Sequence, residues 1–372
     1  MVRRHYLLYL LSILAIYLLS GCANTGNVPS TDVAAHMAAS LKKHKAAAVG
    51  IAVIKGNEIT WTGTFGEQAP GIAATSATMF NVASLAKPIT AEVAMRLISA
   101  GKISLDELVA DSWIDPDIAN DPRHKKLTPR LLLSHQTGFP NWRFQTKDKK
   151  LAFTAEPAAG FTYSGEGYEY LRRFMEKKTG KSFETLVAET VFTPIGMTSA
   201  SFSERSWMAG RYAMPMNREG EFKSADLAKE GMPNAADNLF VTTNDYAKFM
   251  ISVVKNEGLN RAAATERWRK HVDIPAPSSC QPSPDKLIVA GCPDVTEFGL
   301  GWISYRFGTR MILSNSGNDW GEFAIVYIEP ATGDGMIIFV NGGNGVPVAM
   351  DALALLDPDS LVAAFGRAQM GR

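Results

Sequence analysis

Ser84-Leu85-Ala86-Lys87 places a hydroxyl and an amine three residues apart at the opening of an apolar-faced stretch that runs to Ile98. On a helix, residues at that spacing share a face, so the two side chains stand within mutual reach. A serine hydroxyl becomes a useful nucleophile when a neighbour takes its proton, and a neutral lysine amine can do so. The chemistry implied is acyl transfer: the hydroxyl attacks a carbonyl carbon, an acyl-serine forms, and water later releases it. The lysine must be uncharged to accept a proton, although its ordinary pKa is about 10.4. Enclosure and neighbouring dipoles are the means by which a site favours the neutral amine. A helix-capping serine followed by a solvated lysine has the same spacing, so the pair takes its meaning from what accompanies it downstream.

The rest of the chain must hold that pair in place. Residues 32–44 have helical periodicity with Thr31 or Asp32 as cap, 47–54 reads as a buried strand, and Gly56-Asn57 as the turn to a partner over 59–64. After Lys87 the character changes. Residues 127–134, 165–177 (ended by Gly180), 182–191 and 244–256 read as helices among irregular loops, with few strand signals between 88 and 290. Short apolar or alternating runs return at 301–307, 310–314, 322–328 and 335–341, followed by a helix over 347–365 interrupted near Pro358. The expected architecture is α/β: an antiparallel sheet flanked by N- and C-terminal helices, with an inserted, mostly helical lobe. The sheet lobe takes residues 32–87 and 291–366 and the helical lobe 88–290.

Composition excludes several classes of function. With 372 residues, 46% hydrophobic and 20% charged, the chain can bury a large core, and a net charge of +1 gives no reason to expect a nucleic-acid partner. No second Cys or His lies at ligand spacing, so no metal is expected, and no organic cofactor is implied.

The first 22 residues read as a processing signal. Arg3 and Arg4 precede an apolar run from Leu7 to Leu19 that is too short for an ordinary membrane span. The run ends in Leu19-Ser20-Gly21-Cys22, which resembles the lipobox of bacterial lipoproteins; the resemblance implies that Cys22 is acylated and becomes the first mature residue. Residue 23 is Ala rather than Asp, which in enterobacterial-type sorting implies delivery to the outer membrane, facing the periplasm. Residues 23–31 are the expected tether, and acyl chains on Cys22 the expected membrane contact. With Cys22 taken by lipid, Cys280 and Cys292 remain, and a disulfide between them would close a polar, Pro-rich loop worth roughly 3 kcal/mol on the loop-entropy account. Two buried thiols are the alternative.

Downstream motifs make the resemblance specific. The chain resembles the serine beta-lactamase and D-alanyl-D-alanine carboxypeptidase superfamily, in its class C-like and esterase-containing branch, over about 32–366. Ser84-Leu85-Ala86-Lys87 matches the first motif, and Leu131-Leu132-Leu133-Ser134-His135-Gln136-Thr137-Gly138 is similar to the family's Leu-Leu-x-His-x-Thr-Gly. Tyr163-Ser164-Gly165 falls at Tyr-x-Asn, Phe192-Thr193-Pro194-Ile195-Gly196-Met197 resembles Phe-x-Pro-Leu-Gly-Met, and Asn238–Tyr246 more loosely resembles Gly-Leu-x-Ser-Thr-x-x-Asp-Leu. Asn315-Ser316-Gly317 stands at the Lys/His-Thr/Ser-Gly motif.

The resemblance implies an oxyanion hole from the backbone N–H groups of Ser84 and Asn318, a proton relay through Tyr163, and a packing role for His135. Substrate contacts are expected from Asn315, Ser316, Gly317 and Gly165, with Trp142 and Trp320 as pocket walls. Two departures bear on specificity. Gly165 replaces an asparagine, and Asn315 replaces a cationic or titratable residue, so a substrate carboxylate meets hydrogen bonds rather than charge. The expectation is a lipid-anchored, monomeric serine hydrolase of the cell envelope acting on a small ester, amide or peptidoglycan-derived substrate. A D,D-peptidase or weak beta-lactamase is one alternative. A non-catalytic envelope protein that binds with the same cleft is another.

Overall fold

The computed structural model describes residues 30–225, 227–281 and 290–370; Cys22, the signal segment and most of the tether lie outside them. Nine strands form one antiparallel sheet. Ile72–Ala73 forms one edge and pairs with Glu58–Ala69; next comes Ala48–Lys55, which pairs with Glu58–Ala69 on one side and with Asp334–Asn341 on the other. From there the order runs through Phe323–Glu329, Arg310–Asn318, Ile303–Phe307 and Val295–Phe298 to Val272–Asp273 at the far edge.

Strand Ala48–Lys55 is buried along nearly its whole length because both faces of the sheet are covered. Side chains alternate between faces with period two. Val49, Ile51 and Val53 join one apolar cluster with Val33, Met37 and Leu41 of the N-terminal helix Ser30–His44 and with Val348, Ala352 and Leu353 of the C-terminal helix Gly345–Leu356. Ala48, Ala52 and Ile54 join the other, which continues into the middle of the chain through Phe80, Leu85 and Ile89. The turn after Lys55 has positive φ at Gly56 (58°) and Asn57 (64°), the double left-handed geometry that matches strand twist in a tight hairpin.

The middle segment forms the expected inserted helical lobe. It carries the helices Ala86–Ser99, Gly165–Thr179 and Thr243–Val254, but also a three-stranded sheet of Phe80–Asn81, Phe240–Val241 and Ala200–Ser201, and it donates Val272–Asp273 to the main sheet. Residues 182–191 do not make one helix: Phe183–Val187 passes into a π turn at Ala188–Phe192 and a last turn at Thr193–Ile195, closed by Gly196 at φ 73°. The expected end of Gly165–Thr179 is observed, with Ser164 Oγ accepting from Gly167 N at 3.0 Å and Gly180 left-handed at φ 71°. The strand expected over 310–314 runs on to Asn318. Asn315-Ser316-Gly317-Asn318 has the local chemistry of a turn, but pairing of Asn315 with Val326 and Asn318 with Phe323 holds it extended. Cys280 and Cys292 form a disulfide with Cα atoms 5.7 Å apart; residues 282–289 of the loop it closes lie outside the described residues.

Candidate active site

Ser84 sits in the 3-10 turn Ala83–Leu85 that feeds directly into the helix Ala86–Ser99. The turn is pinned from three directions. Val82 N donates to Leu239 O (3.0 Å), Asn81 Oδ1 accepts from Ala83 N (3.1 Å), and the buried Tyr246 hydroxyl donates to Leu85 O (3.0 Å). Ala83 has φ 46°, a left-handed conformation that a non-glycine residue holds only when its surroundings impose it.

Lys87 is 3% exposed, and its Nζ lies 2.9 Å from Ser84 Oγ and 2.8 Å from Ala236 O. The carbonyl supplies a fixed acceptor for one N–H, which aims the amine at the serine. Tyr163 presents its ring face to the same amine, with Nζ 4.8 Å from the ring centroid. Among the described residues its hydroxyl makes no hydrogen bond, so the relay expected through Tyr163 is not formed in this structure, and Lys87 is the side chain that meets the serine oxygen.

His135 is buried and packs between the rings of Tyr163 (4.5 Å) and Phe298 (4.8 Å). Its Nδ1 accepts from Ser164 N at 3.1 Å, and burial, reinforced by Lys87, holds its pKa well below the usual histidine value. A neutral imidazole in this position spaces the Tyr163 loop.

The opposite wall is the strand Arg310–Asn318. A Cβ on Gly317 would fall 2.0 Å from Val82 O and 3.0 Å from Ser84 N, so only glycine lets this strand run against the Ser84 turn. Ser316 and Asn318 line a cleft of about 260 Å3 together with Ser84, Lys87, Tyr163 and Asn315. Asn315 Nδ2 donates to Gly301 O at 2.9 Å, which fixes its amide at the cleft wall.

Some expected contacts are arranged differently. At Gly165 a Cβ would meet the Trp142 indole at 2.6–2.8 Å, so Trp142 fills the space beside that glycine; its ring centre lies 5.8 Å from Lys87 Nζ. Asn141 also lines the cleft, and its Oδ1 accepts from Gly165 N at 2.9 Å. Neither Asn141 nor the Ala236 carbonyl was singled out from the sequence, because each reaches the site through a loop with no pattern of its own. Trp320 is 48% exposed and lines a neighbouring cavity. Phe139 is core and Phe144 exposed.

A helical segment inserted between the strands of an antiparallel sheet, with a serine–lysine pair facing the strand Arg310–Asn318, defines the architecture shared by penicillin-binding proteins and serine beta-lactamases. The Beta-lactamase family model matches residues 33–358, and the chain belongs to that family. It is 27% identical over 301 residues to Penicillin-binding protein 4 of Amycolatopsis lactamdurans, covering 73% of this chain and 74% of that protein. It is 24% identical over 244 residues to the Lovastatin esterase of Penicillium rubens, covering 53% of this chain and 61% of that one. Among solved structures, the octameric penicillin-binding protein homologue from Pyrococcus abyssi superposes with a TM-score of 0.71 at 19% identity, over 89% of this chain and 78% of that one. Membership supports a hydrolase of this general class.

Proposed function

We propose that the protein is a serine hydrolase that forms and hydrolyses an acyl-Ser84 intermediate on an ester or amide with no required carboxylate. The observation that carries this reading is the 2.9 Å contact between a buried lysine amine and the serine oxygen at a helix start. Lys87 takes the proton of Ser84 as the hydroxyl attacks, and the backbone N–H groups of Ser84 and Asn318 hold the oxyanion. Tyr163, exposed at the cleft mouth, is placed to return a proton to the leaving group once substrate fills the gap. The similarity to an esterase and to a penicillin-binding protein supports both ester and amide acyl donors. Incubation with an activated ester is expected to raise the intact mass by one acyl group. If no increment appears, or if Ser84→Ala shows the same one, the assignment is wrong.

Asn315 is the main argument for neutral substrates. Its amide is tied to Gly301 O and brings no charge to the cleft. Asn315→Lys is expected to shift the ratio of kcat/KM for a carboxylate-bearing penicillin over a neutral short-chain ester by about ten- to a hundredfold. That range follows from a charge-assisted hydrogen bond worth roughly 1.5–3 kcal/mol. An unchanged ratio in a folded variant removes Asn315 from carboxylate recognition. It would then favour the D,D-peptidase reading suggested by the likeness to Penicillin-binding protein 4.

We further infer that Cys22 is acylated and that the protein is anchored in the bacterial envelope, on the strength of Leu19-Ser20-Gly21-Cys22. No described helix is long and apolar enough to cross a membrane. Cys22→Ser is expected to release the protein from the membrane fraction at high salt. Retention of the variant there, without aggregation, would show that another element anchors it.

A further inference from the structure

Beyond Asn318 the chain turns through Asp319, Trp320 and Gly321 to Glu322, and this turn walls a second cavity of about 80 Å3 beside the cleft. Phe80, Asn81, Pro215 and Phe240 complete the walls that matter. The two spaces are continuous in sequence: Asn318 lines the cleft and Asp319 the cavity, while Asn81 lies three residues before the nucleophile.

Glu322 is 7% exposed. Its Oε1 accepts from Asn81 Nδ2, but its buried Oε2 has no hydrogen-bond partner. Native interiors keep few orphaned buried oxygens. Burial, with Asp319 and Asp237 adding to it, raises the Glu322 carboxyl to about 8. Among the described residues no Lys, Arg or His forms an ion pair with Asp237, Asp319 or Glu322. The cavity is therefore partly apolar, and its Glu322 carboxyl, held protonated near neutral pH, has no partner at Oε2.

We propose that this cavity binds a compact organic ammonium group, with Glu322 Oε2 and Asp319 as acceptors and the Phe80, Pro215 and Phe240 walls against its methylenes. Volume sets the size: a cavity of about 150 Å3 accepts benzene, so 80 Å3 takes an ammonium with one or two carbons rather than a ring. A bound metal fits less well, because hard cations need six or more oxygen ligands or an octahedral set, and no described group of three His, Cys, Asp or Glu residues can hold one. The incoming ammonium supplies the missing partner, and Glu322 releases its proton to solvent as the charge-assisted bond forms. The neighbouring nucleophile makes an ammonium carried on the substrate the source of choice; that extension rests on the acyl-Ser84 reading, whereas the binding site itself does not.

Two measurements test it. Ethylammonium titrated calorimetrically into the full-length Ser84→Ala protein is expected to bind saturably at one site. Addition of Glu322→Gln, which keeps an oxygen for Asn81, or of Asp319→Asn on the exposed turn, should weaken binding at least tenfold. No saturable binding, or binding indifferent to both substitutions, overturns the proposal. Kinetically, wild type is expected to prefer an ester bearing a terminal ammonium over its N-acetylated analogue by about tenfold or more in kcat/KM. Glu322→Gln should bring that ratio toward one. Binding without kinetic preference assigns the site to a free amine and overturns the substrate-borne source. Binding with no turnover of either ester upholds the cavity and removes the acyl-Ser84 reading instead. Equal loss of both esters in Glu322→Gln, with ethylammonium binding intact, shows that this residue serves the nucleophile turn through Asn81.

Discussion

Alanine at Lys87 is expected to slow acylation of Ser84 by on the order of a thousandfold or more, with the variant still folded. Among the described residues only one side chain hydrogen-bonds to the serine oxygen, and it is this amine. General-base assistance alone contributes about 10²–10⁴, and groups that act as a unit lose most of their effect together. His135 cannot substitute, since it is buried, held neutral, and has its Nδ1 engaged by Ser164 N. The fold should survive because the helix Ala86–Ser99 packs through Ile89, Val93 and Leu97 rather than through Lys87. The cost to stability is the Ala236 carbonyl left without its donor, roughly 1–3 kcal/mol. Lys87→Met, which keeps the length and apolar stem, should be as inactive as alanine and better folded. The second-order rate constant for an activated ester, with circular dichroism alongside, checks both. A rate within tenfold of wild type would mean that Tyr163 or water takes the proton.

Gly317→Ala is expected to lower kcat/KM by about a hundredfold or more through geometry alone. The added methyl would overlap Val82 O at 2.0 Å, so either the strand Arg310–Asn318 or the nucleophile turn has to move. Displacement by about 1 Å is enough for a loss of that size where reacting groups must be aligned. Strain from forcing one carbon into a packed contact costs roughly 1–3 kcal/mol, so the melting temperature should fall as well. Because Asn318 follows directly, the drop is expected in kcat rather than in KM, which distinguishes a displaced oxyanion donor from lost ground-state binding. An active, equally stable variant would show that strand and turn are not in register as described.

The contact between Ser84 and Lys87 was legible because its spacing is local, three residues on one helical turn. The hairpin at Gly56-Asn57 and the cap at Gly180 were legible for a similar reason: φ above zero leaves a mark on residue type. Gly317, expected to meet substrate, instead packs against the backbone of Val82 and Ser84. What escaped was set by tertiary pairing. The strand expected over 310–314 runs on through 315–318, because Phe323–Glu329 holds those residues extended. The three-stranded sheet escaped because its two-residue strands are too short for any period. Trp142 filling the space beside Gly165, and Asn141 bonding to it, join residues that no spacing rule connects. The acidic cavity is likewise invisible in one dimension, since Asn81 and Glu322 meet only when the strand returns to the nucleophile turn.

The place of strand Ala48–Lys55 in the sheet bears on the order of events during synthesis. Ala48–Lys55 can pair at once with Glu58–Ala69, but its other edge waits for Asp334–Asn341, which leaves the ribosome last among the strands. Contacts so distant in sequence make for slow folding, because the loop must close before the ladder forms. Until then the half-built edge is an exposed apolar template for other chains. The cleft shares that delay, because Ser84 emerges early and Asn315–Asn318 late. A nascent chain would thus carry its nucleophile long before it carries the wall that makes the nucleophile useful.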